Sequence, residues 1–499
     1  MQNKVVNIIN FVRGVEPRRE KDLITPVLEE IKLNKKYGFE NTFLLQYDAM
    51  MDPRFVELFQ REKDAHMELG IWIEMARCLI ESLGIPWEGR PGYDWDWYVN
   101  PGFLLAYTRQ QKEQIIDAIM EKFHNCFGYY PKSAGSWMLD SDSVDYMASR
   151  YGVEAFCICR EQWGTDAYTL WGGYYNGPYF PSRNNIMHPA QTVEGQLHVP
   201  VIRMLGPDPI YCYYEKQKGE RNKPGLTLYT LEPSWQCGMN KNWVEWYFRN
   251  FLECEDMGYN YTQAGQENSF GWPLIAKGLP MQFELLDKLQ KEGKVRIEKM
   301  CETGRKFTED NALTPATVYS ALDDWAGHGN QSVWYSCKNY RLGLHCNAEQ
   351  VYIRDLQKYD ESYRDIYLDA PCKEKSAVQE ALPMVDVMRF SDAEVLTGIY
   401  FGNGRIERTW REDDAFFAEM SVDGKTLIMI LTEDRITVKG AKDFAAKFVY
   451  KAGSEQIKAL NKDQISYEHN GMKYALIVDS GKFENGAFVS ENGCLTLHV

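Results

Sequence analysis

The first 300 or so residues alternate between short apolar runs and amphipathic helical patterns, and this alternation constrains the fold more than any other feature of the chain. The apolar runs lie at 5–12, 42–47, 69–75, 133–139, 155–159, 199–205, 259–264 and 295–300. Between them the apolar residues recur at helical spacing, as at 22–36, 109–127, 143–151 and 242–257. Gly38 and Gly152 each follow a tyrosine at the end of such a stretch, where a helix takes a left-handed glycine cap. A strand–helix–strand repeat of this kind builds a parallel sheet, and seven or eight units predict a closed or nearly closed barrel. The expectation is an α/β fold: a (β/α)7-8 barrel over 1–310, followed by a C-terminal β-sandwich domain over 311–499. In the second part the helical texture fades and β-type runs appear, punctuated by turn pairs such as Asn403-Gly404, Asp423-Gly424, Asn470-Gly471 and Asn485-Gly486.

At 499 residues the chain is too long for one ordinary core, which agrees with two domains. Its formal net charge of -15 repels nucleic acid and anionic membranes, so neither is an expected partner. No window has the length and purity of a membrane span. The start, Met1-Gln2-Asn3-Lys4, lacks a basic segment, a long apolar stretch and a cleavage site, so a cytoplasmic location is expected. The 12 cysteines form no C-x-x-C pair, and most sit in apolar runs, as reduced thiols used for packing would. The eight histidines form no H-x-x-H or H-x-x-x-H pair, so no metal site is expected, nor any cofactor. Without G-x-G-x-x-G or a P-loop, nothing points to a bound dinucleotide or nucleoside triphosphate. Self-association into a homo-oligomer is left open.

Two connections are too long to be plain loops: 80–108, containing GRPGYDWDW at 89–97, and 162–198, containing WGGYYNGPYFP at 171–181. Long connections in a compact domain are usually functional. Both follow expected strands, which places them at the C-terminal face of the barrel, where barrel active sites are built. The composition adds a hint. Aromatics make up 14% of the chain, with 14 Trp and 31 Tyr, and many lie in polar, Gly-rich loops. Rings so placed suit the apolar face of a pyranose.

Polar residues concentrate where the expected strands end. In chain order these ends carry Asn10 and Arg13; Gln46 and Asp48; Glu74; Trp137 and Asp140; Arg160, Glu161 and Trp163; Arg203; and Gln263, Gln266 and Glu267. On a barrel they converge on one pocket. A carboxylic acid that protonates a leaving oxygen, paired with a carboxylate acting as base or nucleophile, is what glycosidic-bond cleavage requires. Glu74, Asp140, Glu161 and Glu267 are the candidate catalytic set. Glu74 follows Gly-Ile-Trp-Ile, and a carboxylate ending so apolar a run is costly unless paired or functional. Asp140 precedes a helix and could equally cap it. Glu161 could simply pair with an arginine. Candidate sugar contacts are Arg13, Asp48, Asp94, Asp96, Tyr174, Arg203 and Gln266, with Trp72, Trp137, Trp163, Trp171 and Trp272 as a stacking platform.

Segment 65–75, AHMELGIWIEM, resembles the stretch of polysaccharide deacetylases in which Glu-Ile-Gly precedes a histidine pair. Segment 127–137, FGYYPKSAGSW, followed by a helix and Tyr151-Gly152-Val153, is similar to the next segment of that family. In order and spacing, 4–300 resembles the polysaccharide-deacetylase (NodB-like) superfamily and the related barrels of glycoside hydrolase families 38 and 57. For the deacetylase branch the resemblance implies a metal held by histidines and an Asp-Asp pair. Here the histidine positions carry residues such as Trp72 and Met75, and Asn10-Phe11-Val12-Arg13 stands in place of the Asp-Asp. The leading expectation is therefore a metal-independent glycoside hydrolase acting on oligosaccharides. The alternatives are a carbohydrate deacetylase or esterase with an atypical metal site, and a sugar-binding protein without catalysis.

Overall fold

The computed structural model describes residues 4–18, 22–175, 177–211, 229–255, 257–392 and 394–499. Parallel strands Lys4–Val12, Asn41–Leu45, Met67–Trp72, Ser133–Gly135, Ala155–Ile158 and Val201–Arg203 lie side by side in chain order. Asn260–Ala264 pairs with the free edge of the first of them, register Lys4 to Asn260. Among the described residues no ladder joins Val201–Arg203 to Asn260–Ala264, so the barrel has seven parallel staves and one open seam. Across the seam the contact is a side chain: the Leu205 amide donates to Gln263 Oε1 at 3.3 Å.

The eighth expected strand, Arg296–Glu298, exists, but it pairs with Val5–Asn7 at the lower half of the first strand and does not close the barrel. The second strand pairs with the upper half, Ile9–Val12. The first strand is thus central and buried at all nine positions, as the middle strand of a parallel sheet covered on both faces must be. Two of its polar residues donate within the fold: Lys4 Nζ to the Cys254 carbonyl at 2.7 Å, and Asn7 to the Glu298 carbonyl and to Thr303 at 2.8 Å each. Just beyond the seventh strand, Gly265 has φ +108, and a Cβ there would lie 2.1 Å from the Ile9 carbonyl oxygen. Only glycine lets the chain cross so close to the first strand, which brings Gln266 and Glu267 over its end.

The last barrel helix is Met300–Asp310, and the antiparallel strands start at Thr317–Ala321. They form the expected β-rich domain. Its 15-residue strand Gly398–Glu412 pairs at one end with Gln350–Lys358 and at the other with Ala415–Val422, so it passes from one sheet layer to the other. Strand Ala415–Val422 alternates buried and half-buried residues along its length, one face to the core and one to solvent. No helix among the described residues is long and apolar enough to cross a membrane.

The β-domain also reaches back. Its strand Ala377–Glu380 joins a hairpin of the barrel, Gln162–Thr165 and Tyr168–Trp171, by pairing in parallel with the second arm. The connection 162–198 is therefore not a plain loop but a hairpin extended by the second domain. Trp325 donates to Asp208 at 3.1 Å, and Arg354 donates to the carbonyls of Pro209 and Ile210 at 3.3 Å.

Candidate active site

At the C-terminal end of the barrel one guanidinium organises two carboxylates. Arg13, just past the first strand, places Nη2 2.8 Å from Glu74 Oε2 and 3.4 Å from Glu267 Oε2. Its Nη1 lies 3.6 Å from Glu16. All three central side chains are buried: Arg13 is 1%, Glu74 0% and Glu267 3% exposed. The position of Arg13 is fixed through its own backbone, which exchanges two hydrogen bonds with the Asn268 side chain at 2.9 Å. Asp48 pins the next residues by accepting from the Gly14 and Val15 amides at 3.1 and 2.7 Å. Below the guanidinium lies the Trp95 ring, 3.9 Å from its centroid. Burial opposes the charge of Arg13, but Glu267, Glu74 and Glu16 hold it protonated well above the usual range.

The two glutamates differ. Burial pushes the Glu74 carboxyl up to about 7, against the pull of Arg13 and of the Trp72 N–H, with Glu267 adding to the rise. Both named donors reach Oε2, the Trp72 indole at 2.5 Å, while Oε1 has no hydrogen-bond partner. Glu267 receives the Ser269 hydroxyl on Oε1, leaving Oε2 to face Arg13. The Oε2 atoms of the two glutamates contact the same guanidinium nitrogen, so the carboxyls meet across Arg13.

Around this pair the strand ends present further buried polar atoms without a hydrogen-bond partner: Asn10 Nδ2, both ends of the Gln46 amide, Arg13 Nε and Gln263 Nε2. Such atoms are free to contact a polar ligand, but others lie at the opposite end of the barrel, Asn7 Oδ1 and Asn41 Oδ1 among them, so the ion-pair geometry and not their number marks the site. Glu232, which sequence reasoning missed, adds a third carboxyl. Burial raises it, Arg160 and the Thr230 hydroxyl pull it down, and Glu267 raises it further. Gln266 links this side to Ser234 at 2.6 Å and accepts from the Glu267 amide at 2.8 Å.

Three loops meet above the pair. Arg18 bonds Glu16 and lies 5.0 and 5.2 Å from the Trp95 and Trp97 rings. It also stands 3.8 Å from Asp166 at the tip of the hairpin at 162–171. Asp166 has φ +50, a turn conformation. Arg18, Asp166 and Trp95 were not among the expected site residues, although Trp95 and Asp166 lie in the two long connections that the sequence marked as functional.

Other expected site residues serve the fold. Glu161, expected to be catalytic, has both oxygens occupied by Arg341 Nη1 and Nη2 at 2.6 and 2.8 Å, with the Gly172 amide on Oε1 at 2.5 Å. Asp140 caps helix Ser141–Tyr151 through the Ser143 amide at 3.0 Å and pairs with Lys112 at 2.9 Å. Among the described residues Arg203 pairs with no carboxylate; it donates to the carbonyls of Cys159 and Gly172 at 2.8 and 3.0 Å. Asp96 holds its own loop through Arg90 at 2.6 Å, which keeps its carboxyl low despite burial, and Asp94 is exposed beside Arg77.

The expected aromatic platform also divides. Trp72 is fully buried, packs edge-on against Trp137 at 5.0 Å and orients Glu74, so it cannot stack on a sugar. Trp171 is buried with its N–H on Asp386 at 2.9 Å, and Tyr174 is buried with its hydroxyl on the Pro315 carbonyl at 2.6 Å. Trp163 packs against Trp171, and Trp272 starts the short helix Trp272–Ile275 against the core. Trp137 remains half-buried, edge-on to the Trp72 that orients Glu74.

A divalent metal, which the deacetylase resemblance implies, does not fit these residues. Among the described residues no group of three His, Cys, Asp or Glu side chains is placed to hold one, and Arg13 occupies the centre of the acidic cluster.

No family model and no curated protein matches the chain in sequence. A solved structure does match in fold: a candidate glycoside hydrolase/deacetylase from Parabacteroides distasonis, at TM-score 0.52 and 15% identity, covering 76% of this chain and 89% of that one. The two chains share their fold. Looser matches include a candidate polysaccharide deacetylase from Mycobacterium smegmatis, at TM-score 0.39, 13% identity and coverage of 63% and 93%. Another is a family 57 branching enzyme from Pyrococcus horikoshii, at TM-score 0.32, 13% identity and coverage of 60% and 70%.

Proposed function

We propose that this chain is a carbohydrate-active enzyme that cleaves a glycosidic bond with the pair Glu74 and Glu267, by the retaining route and without a metal. The observation that carries this reading is the shared Arg13: two buried carboxyls meet on one guanidinium, and burial raises that of Glu74 to about 7. Glu74, poised near neutrality, keeps a proton on the unpartnered Oε1 and donates it to the leaving oxygen. Glu267, facing Arg13, attacks the anomeric carbon as the carboxylate. The resulting ester is hydrolysed by water, with Glu74 now taking the proton. Two carboxyls that meet on one guanidinium nitrogen leave little room for a water between them, and we assign double displacement on that ground. Trp137, half-buried and edge-on to Trp72, is the ring we assign to stack on the sugar. The fold shared with a candidate glycoside hydrolase/deacetylase supports carbohydrate as the substrate class.

The test is mass spectrometry of plain, acetylated and uronic-acid-containing oligosaccharides incubated with the protein, with and without chelator. Loss of a sugar unit that survives chelator, and that Glu74→Gln and Glu267→Gln each suppress by about 10²-fold or more, is the expected result. Chelator-sensitive loss of acetyl groups would replace this reading with deacetylation. Binding without turnover, retained in both variants, would replace it with a sugar-binding role.

A further inference from the structure

We infer that Arg341 of the β-domain is a positioning residue for the active site: it closes the base of the hairpin at 162–171 and thereby holds the tip of that hairpin over the Glu74 and Glu267 pair. The inference rests on the proposed cleavage for its effect on turnover, but not for the structural coupling it asserts.

Arg341 grips both ends of the hairpin. Glu161, the residue before it, takes Nη1 and Nη2; the carbonyl of Gly173, just after it, accepts from Nη1 at 3.1 Å. The Gly172 amide closes the ring by donating to Glu161 Oε1. On its other side the guanidinium is anchored in its own domain by Asp355, with Nε to Oδ1 and Nη2 to Oδ2 both at 2.8 Å. Arg341, Glu161 and Asp355 are 1%, 4% and 2% exposed, so this is a dry, bidentate clasp and not a surface ion pair. A Cβ on Gly172 would lie 1.8 Å from the Gln357 side-chain oxygen, so the hairpin base sits hard against the β-domain. The second arm of the hairpin is further locked by its parallel pairing with Ala377–Glu380.

At its far end the same hairpin presents Asp166 to Arg18, which bonds Glu16, which faces Arg13. The clasp is thus connected to the reacting pair through a rigid two-stranded element and an ion-pair chain, although Arg341 touches neither glutamate of that pair. The second arm keeps its strand pairing with Ala377–Glu380 when the cation's two-pronged geometry is lost, so it is the first arm, Gln162–Thr165, and the tip it carries that loosen. Lysine keeps the charge of Arg341 but cannot reproduce its fork.

The experiment compares Arg341→Lys, Asp166→Ala and the double variant in the full chain. Two readouts are used: amide hydrogen exchange by mass spectrometry, and kcat and KM on the substrate found by the oligosaccharide panel. Arg341→Lys is expected to speed exchange in the first arm, Gln162–Thr165, and the tip by roughly tenfold while leaving strand Asn41–Leu45 unchanged. It is expected to lower kcat/KM by about 10²-fold, with the pH midpoint near 7 unmoved. Asp166→Ala added to it should cost nothing more, because the tip is already released. If Arg341→Lys fails to fold, Glu161→Gln, which leaves the Arg341 and Asp355 pair intact, carries the same expectations. Unchanged exchange in that arm and tip, or fully additive effects of the two substitutions, overturns the inference. Faster hairpin exchange with no cleavage of any oligosaccharide sustains the coupling and overturns the glycosidase reading instead.

Discussion

Replacing Glu74 by Gln should change how the stability of this protein responds to pH, and the size of that change follows from the site. An ordinary glutamate titrates near 4.5, whereas burial holds Glu74 at about 7. The folded protein therefore binds this proton more tightly than the unfolded chain does. Stability from this source is fully present below pH 4.5 and is lost as pH rises through about 7. At about 1.4 kcal/mol per pH unit of displacement, the loss between pH 5 and pH 8 is on the order of 2 to 3 kcal/mol. Glutamine keeps the shape and can still meet Trp72 or Arg13, but has no proton to lose. The constant cost of altering the Arg13 contact cancels when the two proteins are compared at several pH values. Urea unfolding at pH 5, 6, 7 and 8 is the assay. The gap between wild type and Glu74→Gln should shift in favour of the variant by roughly 2 to 3 kcal/mol over that range. Parallel stability curves would mean that Glu74 titrates like an exposed carboxyl, and the argument for it as a general acid at neutral pH would fall with that result.

Kinetically, the same group predicts that kcat/KM falls about tenfold per pH unit above a midpoint near 7, and the pH profile of the substrate found by the panel checks this. Arg13→Met removes the one cation between two buried glutamates and should destabilise the fold by about 3 to 5 kcal/mol, read by urea unfolding at pH 7. Asp140→Asn should leave kcat within a few-fold of wild type while lowering the melting temperature, since Asp140 serves the helix cap and Lys112; a loss comparable to that of Glu267→Gln would return it to the catalytic set. Trp137→Ala should raise KM with kcat near the wild-type value, the signature of lost uniform binding.

The barrel was legible because parallel strands covered on both faces must be short, continuous apolar runs, and those at 5–12, 42–47 and 155–159 leave few alternatives. Glu74 was legible for a related reason: a carboxylate ending an apolar strand is costly unless the fold uses it. Glu267 stood out in a polar strand end, and Arg13 at the end of the first strand. Which carboxylates meet was not legible. Glu161 and Glu74 look alike in sequence, each at a strand end among aromatics. What separates them is an arginine 180 residues downstream of Glu161, brought to it by the β-domain. Asp140 and Asp96 likewise differ from Glu267 only through Lys112 and Arg90, whose proximity depends on how helix and loop pack. Local patterning is enough to determine the periodicity of burial, and with it the strands, the helices and the end of the barrel where polar groups gather. The assignment of partners to those groups is a matter of distances between residues remote in the chain, and burial makes those distances decisive, because a charge out of water is governed by whichever opposite charge the tertiary structure places within a few ångströms.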